Sequence, residues 1–129
     1  ATTYALAYPN DKLIDHSTGL EWINQALTKK SVSSATDSIY NQMDAYTNGG
    51  DSDYFVANAR QLESIKDLGI QWSLYNQPPF NNVGAANKWS STTAPYSSST
   101  GYSGRITGET VGTSKATTQF TIPMAYRLP

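Results

Sequence analysis

The sequence predicts an α+β domain, on three observations. Short segments in the first third and at the end of the chain alternate apolar with polar residues, the period of a strand. Between them, two segments carry apolar residues at helical spacing, each with a start signal and a glycine stop. Within 129 residues no stretch reads as a linker, so a single domain over residues 1–129 is expected.

The elements follow in order. Tyr4, Leu6 and Tyr8 alternate as an edge or half-buried strand would, and Pro9-Asn10-Asp11 is a turn. Leu13 and Ile14 precede a second turn, Asp15-His16-Ser17-Thr18-Gly19, after which Leu20, Trp22 and Ile23 resume a strand with Trp22 in the core. Asp15 and Thr18-Gly19 read as structural: the carboxylate suits an Asx-type turn and Gly19 supplies positive φ. Ser34, with Asp37 three residues on, predicts a helix start; Ala35, Ile39, Met43 and Tyr46 form its apolar face and Asn48-Gly49-Gly50 its end. A second helix starts after Asn58, with Gln61 completing the box, Leu62, Ile65 and Leu68 as the stripe and Gly69 as the stop. The two stripes predict that Ile39, Met43, Leu62 and Ile65 pack onto one sheet carrying Trp22 and Trp89.

The second half reads differently. Ile70, Trp72 and Leu74 alternate as a strand, whereas Gln77-Pro78-Pro79-Phe80-Asn81-Asn82 cannot be regular structure, because its prolines remove donors and fix φ. Lys88-Trp89-Ser90-Ser91-Thr92 predicts a strand, Ser97 to Gly104 a polar loop, and Phe120 to Leu128 a terminal strand with Pro123 at an edge or bulge.

Composition excludes several function classes. Nine basic against ten acidic residues give a net charge of −1, so no field points to nucleic acid or to an anionic membrane. There is no cysteine, hence no disulfide, thiolate metal site or cysteine nucleophile. No apolar run approaches a bilayer span, so membrane insertion is not expected. The single histidine, His16, lies in a turn with no nucleophile elbow anywhere, and one histidine without cysteine cannot make a zinc site. Asp51 and Asp53 could in principle serve a glycosidase, or with Asn48 bind calcium, but a solvated polar turn suits them better and no EF-hand spacing surrounds them. Phosphate-loop and dinucleotide fingerprints are absent. No catalytic residue, metal or cofactor is therefore expected, and the chain reads as a non-enzyme.

Several segments resemble one family in order and rough spacing. Ile14-Asp15-His16-Ser17-Thr18-Gly19-Leu20-Glu21-Trp22 is similar to the D-x-x-T-G-L-x-W opening of the DUF1566 family, which includes the C-terminal domain of the Legionella collagen-like adhesin. Gly49 to Ala57 occupies the place of that family's G-G-x-x-D-W-R-L-P stretch, Trp89-Ser90-Ser91-Thr92 its W-S-S-T strand, and Tyr126-Arg127-Leu128 its closing strand. The departure is at Tyr54-Phe55-Val56-Ala57, where the family's Arg and Pro are lost, so no role of that Arg passes to Phe55. The resemblance implies a C-type-lectin-like fold, with two helices flanking a small antiparallel or mixed sheet and long loops in the second half.

Nine tyrosines on a surface poor in charge and rich in Ser, Thr, Asn and Gly offer aromatic faces, hydroxyls and amides. The expected function is a non-catalytic, carbohydrate-binding or host-surface-binding module of an extracellular bacterial adhesin or phage fibre. The expected contacts are Tyr75, Asn76, Asn82, Tyr96, Tyr102 and Arg105, on loops where rings can stack on sugars and Arg105 can meet an acidic glycan. Two alternatives stand beside this reading: a structural domain that trimerises a fibre, a homo-oligomer with no small ligand, and a hypervariable C-type-lectin-like display protein.

Overall fold

The structure is a computed structural model, and it describes residues 12–15, 18–65, 83, 86–104 and 110–127. The expectations for Tyr4 to Tyr8, His16 and residues 66–82 fall outside them.

The described chain is mostly β: 46% strand against 13% helix, in two sheets. This overturns the expectation of an α+β, C-type-lectin-like arrangement with two helices packed on one small sheet. The strands are β1 (Lys12–Asp15), β2 (Leu20–Ile23), β3 (Leu27–Lys30), β4 (Phe55–Val56), β5 (Lys88–Thr93), β6 (Thr100–Gly104), β7 (Thr110–Ser114), β8 (Gln119–Thr121) and β9 (Pro123–Tyr126). The helices are α1 (Ile39–Ala45), between β3 and β4, and α2 (Ala59–Glu63), between β4 and β5. One sheet runs β1-β2-β9-β4 and the other β3-β8-β5-β6-β7. All pairings are antiparallel except β5 with β8. No helix among the described residues is long and apolar enough to cross a membrane.

The expected terminal strand, Phe120 to Leu128, is in fact two strands in different sheets. The chain leaves the five-stranded sheet after Thr121 and joins the four-stranded one at Pro123. Pro123 pairs with Val56 of β4 at the first position of β9, while the β2 register begins only at Met124, so no ladder hydrogen bond to β2 is lost. The strands β6 and β7 were hidden in segments rich in Ser, Thr and Gly; they form five consecutive antiparallel pairs.

Helix lengths also correct the sequence reading. α1 starts at Ser38, not Ser34: the Ser38 hydroxyl accepts from the amides of Tyr40 and Asn41, and Asn41 Oδ1 accepts from Ser38 N at 3.1 Å. Ser34 makes a separate turn, its hydroxyl accepting from Asp37 N. α1 ends at Tyr46 in extended backbone. Gly49 (φ 59°) and Gly50 (φ 89°) then form a tight turn closed by reciprocal backbone bonds between Asn48 and Asp51, a double positive φ that glycine tolerates best. α2 begins as expected, with Asn58 and Gln61 capping each other. Helices of seven and five residues have little stability alone; what holds them is burial.

That burial falls on both faces of the four-stranded sheet. Leu13, Leu20, Trp22, Ile122 and Met124 form one core cluster with Leu62 and Ile65 of the α2 segment. Ile23, Val56 and Ala125 belong to the other, with Ile39 and Met43 of α1 and with Trp89. Alternation along β2 and β9 sends successive side chains into opposite cores, and all four β2 residues are buried. The expected helix residues are therefore core, but Trp22 and Trp89 stand in different sheets.

Candidate binding face

The face that carries Tyr96 and Tyr102 is built from the β5–β6 hairpin upward. Ala94 is buried, and its amide donates to Thr100 O at 2.8 Å. Ser97 N donates back to Ala94 O at 3.2 Å, with Pro95 in the second turn position, where its fixed φ suits the bend. Tyr96 follows and is 71% exposed. The register pairs Tyr102 with Gly112 and Thr100 with Ser114, so these four point to one side of the sheet. A Cβ on Gly112 would lie 2.1 Å from the Tyr96 hydroxyl and 3.1 Å from Thr100 Cγ2. The tyrosine thus reaches across β6 and sets its hydroxyl in the space glycine leaves open. Tyr102, half-buried, stands beside the same glycine.

The side chains that β6 and β7 place here, Thr100, Tyr102 and Ser114, are uncharged; Glu63 lies at the far end, accepting from the Thr110 hydroxyl at 2.9 Å. The opposite side of these strands is closed. Ser103 and Thr113 share a hydroxyl hydrogen bond of 2.9 Å, and the Trp89 ring packs against Gly101.

Of the residues expected to bind, Tyr96 and Tyr102 are brought together; Tyr75, Asn76, Asn82 and Arg105 lie outside the described residues. Gly112 and Thr100 were missed. The available signal was the Thr-Val-Gly-Thr-Ser run, whose β-branched residues mark a strand in which glycine signals close approach.

The Trp-Ser-Ser-Thr segment is tied into the scaffold. Trp89 Nε1 donates to Lys30 O at 3.1 Å, joining β5 to β3. Ser90 donates to Tyr102 O at 2.7 Å, Ser91 N to Ala57 O at 2.9 Å, and Thr92 Oγ1 accepts from Ala59 N at the start of α2.

The acidic turn is equally committed. Arg127 makes a two-pronged contact with Asp53, 2.8 and 2.9 Å, and lies 3.4 Å from both Glu21 and Asp51. Lys12 holds Asp51 at 2.7 Å. The hydrogen bond from Lys12 lowers the Asp51 pKa, and that from Arg127 lowers the Asp53 pKa. Both carboxylates are held ionised by cations, which suits neither a proton-donating acid nor an open calcium site. Behind them Tyr54 donates to the buried Glu21 at 2.6 Å; burial first, then this carboxylate, raises the phenol pKa. Among the described residues no group of three or more His, Asp or Glu is arranged to hold a metal. An open cleft of about 460 Å³ lies between β3 and α1, with Leu27, Ala45 and Tyr46 below and the Lys30–Asp37 ion pair on its rim. Comparison with family models, with curated proteins and with solved structures gives no match for this chain.

Proposed function

We propose that this chain is a non-catalytic binding module, displayed outside the cell on a bacterial adhesin or phage fibre, that takes a glycan of a host surface on the Tyr96–Tyr102 face. The observation that carries this reading is Tyr96, a large ring left 71% exposed yet positioned by the Gly112 gap beside Tyr102. An exposed ring on a rigid strand pair offers a flat surface to the apolar face of a sugar, and the hydroxyls around it can bond the sugar's rim. The described side chains that β6 and β7 place beside Tyr96 (Thr100, Tyr102 and Ser114) are uncharged, which favours a neutral saccharide. The engagement of Asp51 and Asp53 by Lys12 and Arg127 supports the absence of an acid pair for hydrolysis.

A glycan array followed by titration of the selected sugar tests this. Tyr96→Ala and Tyr102→Ala should each weaken binding at least tenfold with the melting temperature nearly unchanged for Tyr96. Full binding by both variants, with loss on Tyr46→Ala or Gln42→Ala, would move the site to the cleft between β3 and α1.

A further inference from the structure

We propose that β7 is an interface with a second copy of this chain, the two β7 strands pairing antiparallel about a two-fold axis at Gly112. β7 closes the five-stranded sheet, and among the described residues its strand partner is β6 alone. An edge strand presents a row of backbone donors and acceptors that can template another strand. The two edges of this sheet differ in how they meet that hazard. β3 carries Lys29 and Lys30, its register slips between Leu27 and Lys30, and Lys30 is held by Asp37 at 2.8 Å. Charge and irregularity of that kind blunt an edge. β7 has the sequence Thr-Val-Gly-Thr-Ser, with no charge and no proline, and keeps a regular register with β6 over five residues.

Self-pairing of that sequence is complementary. Centred on Gly112, it sets Thr110 against Ser114, Val111 against Thr113, and Gly112 against its own copy. No like charges meet, and the hydroxyl pairs lie within hydrogen-bonding reach across the strands. The Tyr96 hydroxyl already sits over Gly112, so the axis brings the two phenols to either side of one glycine pair and covers part of an exposed ring. A ladder of five residues covers much less than the ~800 Å² per partner of a stable complex, so the dimer is a weak, concentration-dependent one. The proposal is independent of the glycan reading, although pairing would join two Tyr96–Tyr102 faces in one continuous sheet.

Sedimentation velocity of the wild-type chain across a wide concentration range should show reversible dimerisation. Gly112→Lys and Gly112→Asp should each be monomeric, because like charges then meet at the axis, and mixing the two should restore a dimer. Ser114→Lys, which faces Thr110 and not itself, should still pair. Hydrogen exchange at the Thr110, Gly112 and Ser114 amides of the wild type, which face away from β6, should slow as concentration rises. A wild-type chain that stays monomeric with concentration-independent exchange overturns the proposal, as does a dimer indifferent to both Gly112 charges.

Discussion

The two sheets of this chain use similar strand lengths to opposite ends. In the four-stranded sheet, side chains on both faces of β2 and β9 enter a core, and the rim is fastened by Lys12, Arg127 and their carboxylates. In the five-stranded sheet, Lys88, Trp89 and Ser90 of β5 are enclosed, but β6 and β7 cover only one face and leave Tyr96 over the other. One sheet is scaffold; the other is scaffold at β5 and display at β7. Burial should therefore govern the cost of substitution, and sensitivity should fall along the path from β2 to β7.

The steepest test of that gradient is at its enclosed end. Trp22 is fully buried, and Trp22→Ala should destabilise the chain by about 3–5 kcal/mol in urea denaturation. Ile39, also fully buried, at the start of α1, should cost about 2–5 kcal/mol as Ile39→Ala. Half-buried Val111 on β7 should cost about 1 kcal/mol or less as Val111→Ala. Equal losses at Trp22 and Val111 would erase the distinction between the sheets.

Lys88 probes the enclosed strand by charge. Its side chain is fully buried at the start of β5, donating to Ala86 O and lying 5.7 Å from the Phe120 ring, and burial pushes its pKa down from 10.5 to about 8. With the folded pKa below the unfolded one, the unfolded chain holds the proton more tightly between these values. Stability should therefore rise as pH climbs from about 8 towards 10.5, relative to a Lys88→Met variant in which this contribution is gone. Parallel pH profiles for the two proteins would show that Lys88 is not held as described.

At acid pH the rim of the four-stranded sheet has a pH dependence of the same sign, stability rising with pH, in a lower window. Asp51 and Asp53 have pKa values lowered from 3.8 by hydrogen bonds from Lys12 and Arg127. Their stabilisation is complete above that value and is lost as pH falls through the lower folded values. Both groups are solvent-facing, so solvent screening keeps the effect small. Arg127→Gln should narrow the acid-side difference, and added salt should mimic it.

How legible this was in the sequence follows from the same gradient. Asn58 with Gln61 announced α2, and Trp22, Ile39, Met43 and Leu62 announced the core, because capping and apolar periodicity are local signals. The start of α1 was misplaced because Ser34-Asp37 and Ser38-Asn41 offer competing caps, and only the burial of Ile39 against β4 and Trp89 decides between them. β6 and β7 were missed because hydroxyl residues on a half-exposed sheet carry no apolar alternation. The fold class failed for a related reason: helices of five and seven residues were read at the length of their apolar stripes. In the candidate site, Tyr96 and Tyr102 were legible as aromatic residues in a polar setting, whereas Gly112 became meaningful only when the register placed it under Tyr96.

The smallest expected effect on stability is also the most selective for the display face. Gly112→Ala adds a methyl group where the Tyr96 hydroxyl now sits, so one of them must move. Tyr96 is the one free to do so: it is 71% exposed, and the clash falls on the far end of its side chain. The backbone of Gly112 lies in a regular strand, where alanine is favoured over glycine by roughly 0.5–1 kcal/mol through the unfolded chain's entropy. The melting temperature should therefore stay level or rise slightly. If the face binds through Tyr96, affinity for the selected glycan should fall nonetheless, because the ring has swung from its position beside Tyr102. Gly112→Ala with Tyr96→Ala should bind no worse than Tyr96→Ala alone, since both substitutions remove the same contact. Additive losses in that double variant would mean that Gly112 contacts the ligand directly, and unchanged affinity in Gly112→Ala would mean that the position of Tyr96 does not matter to the face.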